Sequence, residues 1–555
     1  MTVVEPDSPI PPELRAEMLA VLETNERHGI VIARQGDSAL ADLLPRYSLT
    51  PVARGSYVLM REALAESFGT LDASAPSTNA GLADLSLRLD RYGYSTVVAN
   101  HATLETPEAS LSTEEREWLA GRHPTSSRML DSLADRMTDP VEWFADVLRP
   151  GRTIKVLVDL THVAPLHNGT SKVALSFVDY LARHVDRSRY EIVLAAHVDI
   201  EQLFDLGAFG FRVVRPDAVA ERFHVGYVPT QVFTLDDLRL LDRWCVRFVV
   251  TDLDIISVRS IHLLAAKPER AAVFADAFTW ADRVVAISDA SRRDALDYFP
   301  ELDDDRFVVI PQGYVSPDVT GEANVLPPNV TKSSYVLVVG NWLPHKAMDE
   351  AVSALASSGR SIVVLGGGPG LKGEDVYVVP SGGLSDGAVD QLVRDSALVV
   401  FPSLYEGFGL PIAEAAAHSR PIVLSETAVS REVADLFSGH TPAFFARSFS
   451  DLPATVDTAL GASAPSATEP LRTIDDYSCE AWQLVAEVAE EPIDPQRLRR
   501  RTAYFRQIDS YVTTSVGGSV SARARRWLER RRSTSPRLYR AAYRLAWRAG
   551  RVRAR

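Results

Sequence analysis

Short runs rich in Val, Ile and Leu recur along this chain, each closed by a turn-forming or polar residue and followed by helical spacing. KVLVDL (155–160), YEIVLAAHV (190–198), FVVTDLDII (248–256), RVVAIS (283–288) and RFVVIPQG (306–313) form one series, with helices expected over 172–184 and 289–299. Strands separated by helices in this way imply a doubly wound parallel sheet. The segment 316–334 carries Pro317, Gly321, Pro327 and Pro328 without an apolar period, so it reads as an interdomain linker. A second series follows: YVLVVG (335–340), SIVVLGGG (361–368), VYVVP (376–380), ALVVF (397–401) and PIVLS (421–425). The expected fold class is α/β, with two Rossmann-like domains. Open sheets of this kind bind ligands at the carboxyl ends of their strands.

The loop after one such strand is FPSLYEGFGLPIAEAAA (401–417). Glu406 lies in the loop, and Glu414 in the first turns of a helix expected to start near Pro411. Helix N-termini attract anions because their N–H groups lack intrahelical partners and the macrodipole is positive there. Carboxylates accept hydrogen bonds from sugar hydroxyls. Together these features point to a phosphate-bearing, polyhydroxylated ligand such as a nucleotide-sugar. A buried strand–turn–helix would explain the glycines, which permit tight packing, but not both glutamates.

The segment resembles the signature of retaining glycosyltransferases of family 4, PS..EGFGLP..EA, which have the GT-B architecture of two such domains facing a cleft. The resemblance runs over roughly 154–490, through ADRVVAISDASRRDALDYF, VVIPQGY, YVLVVGNWLPHKAMDEAV, VVLGGGPG, SREVADL and YSCEAWQLVAEV. It implies an acceptor domain over 152–315, a nucleotide-sugar domain over 335–470 and a return helix over 471–496. It also implies a nucleoside-diphosphate-sugar donor, with no metal and no further cofactor. Glu406 would contact donor-sugar hydroxyls and Glu414 the ribose. The backbone of Gly407, Phe408, Gly409 and Leu410 would serve the diphosphate and sugar, with Ser403 adding a hydroxyl. Lys346 would neutralise the leaving diphosphate, helped by His345. Asn341 stands where the family often carries Arg. Gly169 and Thr170 resemble the glycine turn that faces the donor phosphate, and Gly367, Gly383 and Leu384 would line the base and ribose pocket. Asp252-Leu253-Asp254 looks like a metal-binding Asp-x-Asp. It falls where the family uses no metal, so Asp254 is read instead as a residue near donor or acceptor, with Leu253 in place of the family's frequent His. His162 and His167 are acceptor-side candidates or structural histidines. Simpler readings stay open: Gly169 as a plain turn, Lys346 as a solvated loop lysine, and Glu414 as a helix carboxylate favoured by only ~0.3–1 kcal/mol.

The implied reaction moves a sugar, with retention, from the donor to a glycan or lipid-linked acceptor in polysaccharide or cell-surface glycan synthesis. One alternative is a catalytically inactive GT-B protein that binds a glycan or partner, which Asn341 and Leu253 favour. Another is nucleotide-sugar hydrolysis or epimerisation.

The amino-terminal part differs. Segments 55–72 and 81–104 resemble the rear half of family 2 glycosyltransferases, which have a GT-A fold, and 1–23 resembles the stretch just after that family's Asp-x-Asp motif. Gly81-Leu82 replaces the usual acidic pair, and Asp84 alone survives of that cluster. A truncated, inactive GT-A-like segment is expected over 1–105, the alternatives being a gene start placed too far downstream or an unrelated α/β cap. A helical linker over 106–151 carries a capping box (Ser112, Glu115) and an N-cap before proline (Asp139-Pro140).

The net charge of −14 hides an asymmetry. Segment 497–555 has 18 Arg and no Lys against Asp509 and Glu529, which gives +16 and leaves −30 on the remainder. Trp527, Leu528, Leu538, Tyr539, Tyr543, Leu545 and Trp547 interleave with these arginines. A basic tail meeting an anionic membrane surface and a terminal helix docked on the acidic body are equal readings. No nucleic-acid-binding motif accompanies the charge. Cys245 and Cys479 match no metal or redox spacing and read as core residues of a reducing compartment. No run of apolar residues is long enough to span a membrane, and 1–12 lacks a signal-peptide pattern. A cytoplasmic location, with peripheral contact at the membrane face through the tail, is expected.

Overall fold

The computed structural model describes residues 2–4, 10–36, 38–107, 109–130, 133, 137–149, 151–166, 168–317, 326, 330–366, 375–379, 384–463, 465 and 469–515. The chain divides into two compact units, one of Met1–Arg152 with Pro492–Ser510 and one containing Thr153–Glu491.

The first unit holds β1 (Thr2–Val4), β2 (His28–Gln35), β3 (Tyr47–Thr50), β4 (Val58–Met60) and β5 (Ser95–Leu104) in the order β1-β4-β2-β5-β3. Only β2 and β5 pair in parallel. The two-residue period of β2 builds a core on each face. Val31 and Ala33 join Met18, Val21 and Leu22 of helix Pro12–Glu23, whereas Ile30 and Ile32 join Leu82, Leu85 and Leu89 of helix Thr78–Asp90. The capping box of Ser112 and Glu115 forms at the start of helix Thr113–Arg122, and Asp139 caps the short turn Pro140–Trp143.

Asp84 is buried between these helices. It accepts from Arg88 Nε at 2.8 Å, His123 Nε2 at 2.8 Å and Arg122 Nε at 3.2 Å. Burial opposes its ionisation, but bonds from His123, Arg88 and Arg122 outweigh that and hold its pKa below the usual carboxylate range. The acid singled out in the sequence thus clamps two helices together.

Helix Pro495–Ser515 also contributes to this unit. Leu498, Arg501 and Phe505 are buried, and Arg499 donates to Asp139 Oδ2 at 2.7 Å and to the Leu43 carbonyl at 2.6 Å. The start of the basic segment is therefore structural. Its remainder, 516–555, with Trp527, Leu528, Leu538, Tyr539, Tyr543, Leu545 and Trp547, lies outside the described residues.

The second unit contains two all-parallel sheets. The first comprises β6 (Ile154–Asp159), β7 (Tyr190–Ala195), β8 (Arg212–Val214), β9 (Phe223–Val228), β10 (Cys245–Asp252), β11 (Arg283–Ala286) and β12 (Phe307–Val309), ordered β12-β11-β10-β9-β6-β7-β8. The second comprises β13 (Tyr335–Val339), β14 (Ser361–Leu365), β15 (Val376–Val379), β16 (Leu398–Phe401), β17 (Ile422–Ser425) and β18 (Ala443–Ala446), ordered β15-β14-β13-β16-β17-β18. Each order reverses once, between β6 and β9 and between β13 and β16, which are the switch points where such sheets hold ligands. Loops after β6, β10, β13 and β16 converge on one cleft, and this is the GT-B arrangement.

The chain crosses between the two domains twice, side by side. Tyr314 N–H donates to the Arg472 carbonyl at 3.1 Å, and Ile474 N–H to the Tyr314 carbonyl at 2.9 Å. A Cβ on Gly313 would meet the Thr473 carbonyl at 2.3 Å, so only glycine fits this crossing. Helix Ile474–Glu490 then packs on the first domain, where Tyr477 and Tyr227 hydroxyls meet at 3.2 Å. Cys245 is buried as expected, but Cys479 is half-exposed on this helix, with Gln483 Nε2 at 3.6 Å from its sulfur. Residues 318–325 and 327–329 of the expected linker lie outside the described residues. Among the described residues, no helix is long and apolar enough to cross a membrane.

Candidate active site

A cavity of about 810 Å³ lies between the two sheets of the second unit. Its floor is made by two loops tied to each other. After β16, Leu404 N–H donates to the His345 carbonyl at 2.7 Å. Ser403 Oγ donates to the carbonyls of Tyr405 at 3.0 Å and His345 at 3.4 Å. This lacing sets Glu406 against Lys346, whose ammonium pairs with Glu406 Oε1, and each side chain is only 15% exposed. Both line the cavity.

The loop then turns at Gly409, whose φ of +95° favours glycine, and enters helix Leu410–Ala417. No side chain caps this helix, and its N-terminal residues Gly409, Leu410 and Pro411 face the cavity. An uncapped helix start and a nearby ammonium each favour an anion. The Phe408 side chain is buried against Phe437, so only its main chain is available to a ligand.

Glu414 stands in the same helix and lines the cavity. Burial raises its pKa, opposed by the Lys172 ammonium and reinforced by Asp390 and Asp386. Among the described residues it has no hydrogen bond or ion pair, so its oxygens are free to accept from a ligand's hydroxyls. Lys172, which the sequence reading did not single out, pairs with Asp386 across the cleft at 2.8 Å. It sits one turn into helix Gly169–His184, whose start is closed by a capping box of Asn168 and Ser171. Gly169 and Thr170 face the cavity from that turn. A Cβ on Gly169 would come within 3.1 Å of Leu410 Cδ1.

From the first domain, Asp254 reaches the cavity, held by Ile256 N–H donating to Oδ1 at 3.0 Å. Burial raises its pKa; Lys346 opposes the shift, and Glu406 and Asp294 add to it. Asp252, two residues earlier, is fully buried with both carboxylate oxygens unpartnered, and burial pushes its pKa well above the usual value. The Asp-x-Asp therefore presents one carboxylate to the cleft. Among the described residues, no three His, Cys, Asp or Glu side chains are grouped to hold a metal ion.

Asn341 and Leu384 line the cavity, and Asn341 Oδ1 accepts from Leu343 N–H at 2.9 Å. Gly367 and Gly383 lie outside the described residues, as does His167. Two of the expected site residues are not among those lining the cavity. Ser403 is buried and committed to the loop lacing, so its hydroxyl does not line the cavity. His345 does not line it either. Burial and the neighbouring Lys346 push its pKa down to about 4, so it is neutral at pH 7 and adds no positive charge. His162 is buried, with Nδ1 3.3 Å from Asp237 Oδ2.

The two domains are bridged by contacts that no motif announced. Glu432 of helix Ala428–Leu436 accepts from the N–H groups of Asp289 and Ala290 at 2.6 and 2.8 Å, at the start of helix Asp289–Tyr298. Ser288 Oγ donates to the Gly407 carbonyl at 2.6 Å. Tyr405 donates to Asp294 and accepts from Ile255 N–H at 3.3 Å.

A family model described as "Glycosyl transferases group 1" matches residues 333–452. No curated protein sequence matches the chain. Among solved structures, HepE of Anabaena in complex with UDP and glucose is 17% identical, with 64% of this chain and 100% of that one covered and a TM-score of 0.41. Sucrose-phosphate synthase from Thermosynechococcus elongatus is 15% identical, with 64% and 100% covered and a TM-score of 0.40. WaaG, a glycosyltransferase involved in lipopolysaccharide biosynthesis, is 16% identical, with 62% and 98% covered and a TM-score of 0.39.

Proposed function

We propose that this chain is a glycosyltransferase. It transfers a sugar from a nucleoside-diphosphate-sugar to a hydroxyl of a glycan or lipid-linked acceptor, with retention and without a metal, in the manner of family 4. The observation that carries this reading is the conjunction at the β16 loop: an ammonium, an uncapped helix start and an unpaired, half-buried carboxylate within one cavity. The match of 333–452 to the group 1 model supports it.

In this reading, Lys346 leaves Glu406 when donor enters and moves onto the diphosphate, and Glu406 turns to the sugar hydroxyls. Glu414 accepts from the ribose. Stabilising the departing diphosphate with a fixed cation and fixed amides needs no reorganisation at the moment of reaction, which makes this electrostatic contribution large. Asp254 faces the sugar from the opposite wall. Closure through the Glu432 and Tyr405 contacts excludes water.

Lys346→Ala and Glu406→Ala are each expected to lower kcat by about 10²-fold or more while the protein stays folded. Unchanged turnover in either removes that residue from the mechanism. For the amino-terminal unit, we propose a GT-A-derived module without transferase activity of its own, consistent with Asp84 being spent on Arg88, Arg122 and His123. The arginine-rich end is proposed to meet an anionic membrane surface. Vesicle co-sedimentation with and without anionic lipid tests this.

A further inference from the structure

The first unit has a cavity of its own, about 430 Å³ in volume, at the carboxyl end of β2. A register shift makes room for it. Ala33 pairs with Ala99 but the next residue, Arg34, pairs with Thr103, so β5 bulges at 100–102. Asn100 at the bulge is fully buried and spends its amide on the Pro45 carbonyl and Ser48 Oγ, both at 2.7 Å, which fixes the wall.

Three arginines line this space, Arg34, Arg54 and Arg149, against one described carboxylate, Glu142. That carboxylate is already engaged, because Arg34 Nη1 donates to it. The Arg34 side chain is only 12% exposed, and its Nε is buried without an acceptor. Arg54 is half-buried and has no hydrogen bond or ion pair among the described residues. Arg149 stands 3.8 Å from Asp146, an acid 84% exposed to solvent. Collecting guanidinium groups at one cavity is unfavourable by mutual repulsion and desolvation unless an anion completes it. All three are arginine rather than lysine, and the planar fork of donors suits phosphate oxygens. Leu49, Pro51 and Val98 supply apolar wall beside the charges, which suits an organic remainder.

We infer that this cavity binds a phosphorylated small molecule, with Arg54 as the main anchor and Arg34 and Arg149 beside it. The site is independent of the cleft in the second unit and of the activity proposed for that cleft.

Hydrogen–deuterium exchange on the full chain tests this, with glucose 6-phosphate and inorganic phosphate as separate probes at about 5 mM, enough to reveal a millimolar site. Glucose 6-phosphate is expected to slow exchange over residues 47–55, at the cavity wall. Arg54→Ala is expected to raise the concentration needed by about tenfold or more, and Arg54→Lys by less. Lys346→Ala, which alters only the cleft, is expected to leave that protection unchanged. No slowing at 47–55 with either probe, or slowing that survives Arg54→Ala, would overturn the site. Slowing by inorganic phosphate alone would overturn its assignment to an organic phosphate.

Discussion

Replacing Gly407 by alanine should open the cleft. Gly407 lies against the loop after β10, and a Cβ built there would sit 1.6 Å from the Leu253 carbonyl oxygen. Real Cβ contacts stay above 3.0 Å, so loop and carbonyl must separate by about 1.4 Å. Neither partner is a flexible side-chain tip; both are backbone. The same displacement takes the 2.6 Å bond from Ser288 Oγ to the Gly407 carbonyl to as much as about 4 Å, beyond hydrogen-bond reach. That bond contributes about 0.5–1.5 kcal/mol, and the Glu432 bonds at the same seam are charge-assisted and stronger. The closed form should lose about 2 kcal/mol or more, a factor of about 30 in population. A dye pair with one label on each domain of the second unit should report a longer mean distance in Gly407→Ala, and turnover should fall in proportion. Gly439→Ala, where a Cβ meets open space, is the control and should change neither. Closed-form distances and normal turnover in Gly407→Ala would refute the reasoning, because they would mean that the Leu253–Gly407 approach does not govern closure.

Further expectations concern the supports of the site and of the first unit. Asp390 accepts from Tyr314 O–H at 2.7 Å and lies 2.6 Å from His418 Nε2. Burial works against ionisation there, but bonds from His418 and Tyr314 prevail and lower its pKa from 3.8 to about 2. A depressed carboxylate stabilises the fold fully above its unfolded value, so this contribution should be lost as pH falls from about 4 to about 2. Thermal unfolding across that window should be less pH-dependent in Asp390→Asn. Asp84→Asn should destabilise the protein by about 3 kcal/mol, since it leaves Arg88, Arg122 and His123 without their shared counter-charge. Calorimetric unfolding measures this, and sugar transfer by the folded fraction should be unchanged. Glu432→Gln keeps the size of the side chain but loses its charge at a helix start, and should weaken closure by about 0.3–1 kcal/mol, read by the same dye pair.

The architecture was readable because buried parallel strands announce themselves. VLVV at β13 and LVVF at β16 have no polar side to confuse with a helix. The strands left unread were those with weaker patterns. β9 is interrupted by Gly226, which is needed because a Cβ there would meet Cys245 Sγ at 2.7 Å. β8 has three residues at a sheet edge, and β18 has four at another. At the site, placement was legible where residues share one loop. Glu406, Gly409 and Glu414 sit in one strand–loop–helix, so their convergence was legible. Ser403 and His345 lie off the cavity lining because their loops are tied to each other, a tertiary relation that spacing does not encode. Lys172, Tyr405 and Glu432 gave no signal for the same reason. Each acts across the cleft on a residue more than 100 positions away, namely Asp386, Asp294 and Asp289. Arg501 bears on the arginine-rich segment, where two readings stood equal: it is 2% exposed inside the first unit, which fits a docked helix at that end.

Everything proposed for the cleft depends on a leaving diphosphate being gripped by Lys346 and the start of helix Leu410–Ala417. Isothermal titration of the full chain with a panel of nucleoside diphosphates measures that grip without needing the sugar or the acceptor. At least one should bind, and Lys346→Ala should weaken it by about tenfold or more. If none binds, or if the affinity is the same without the lysine, the cleft does not hold the group on which the mechanism turns.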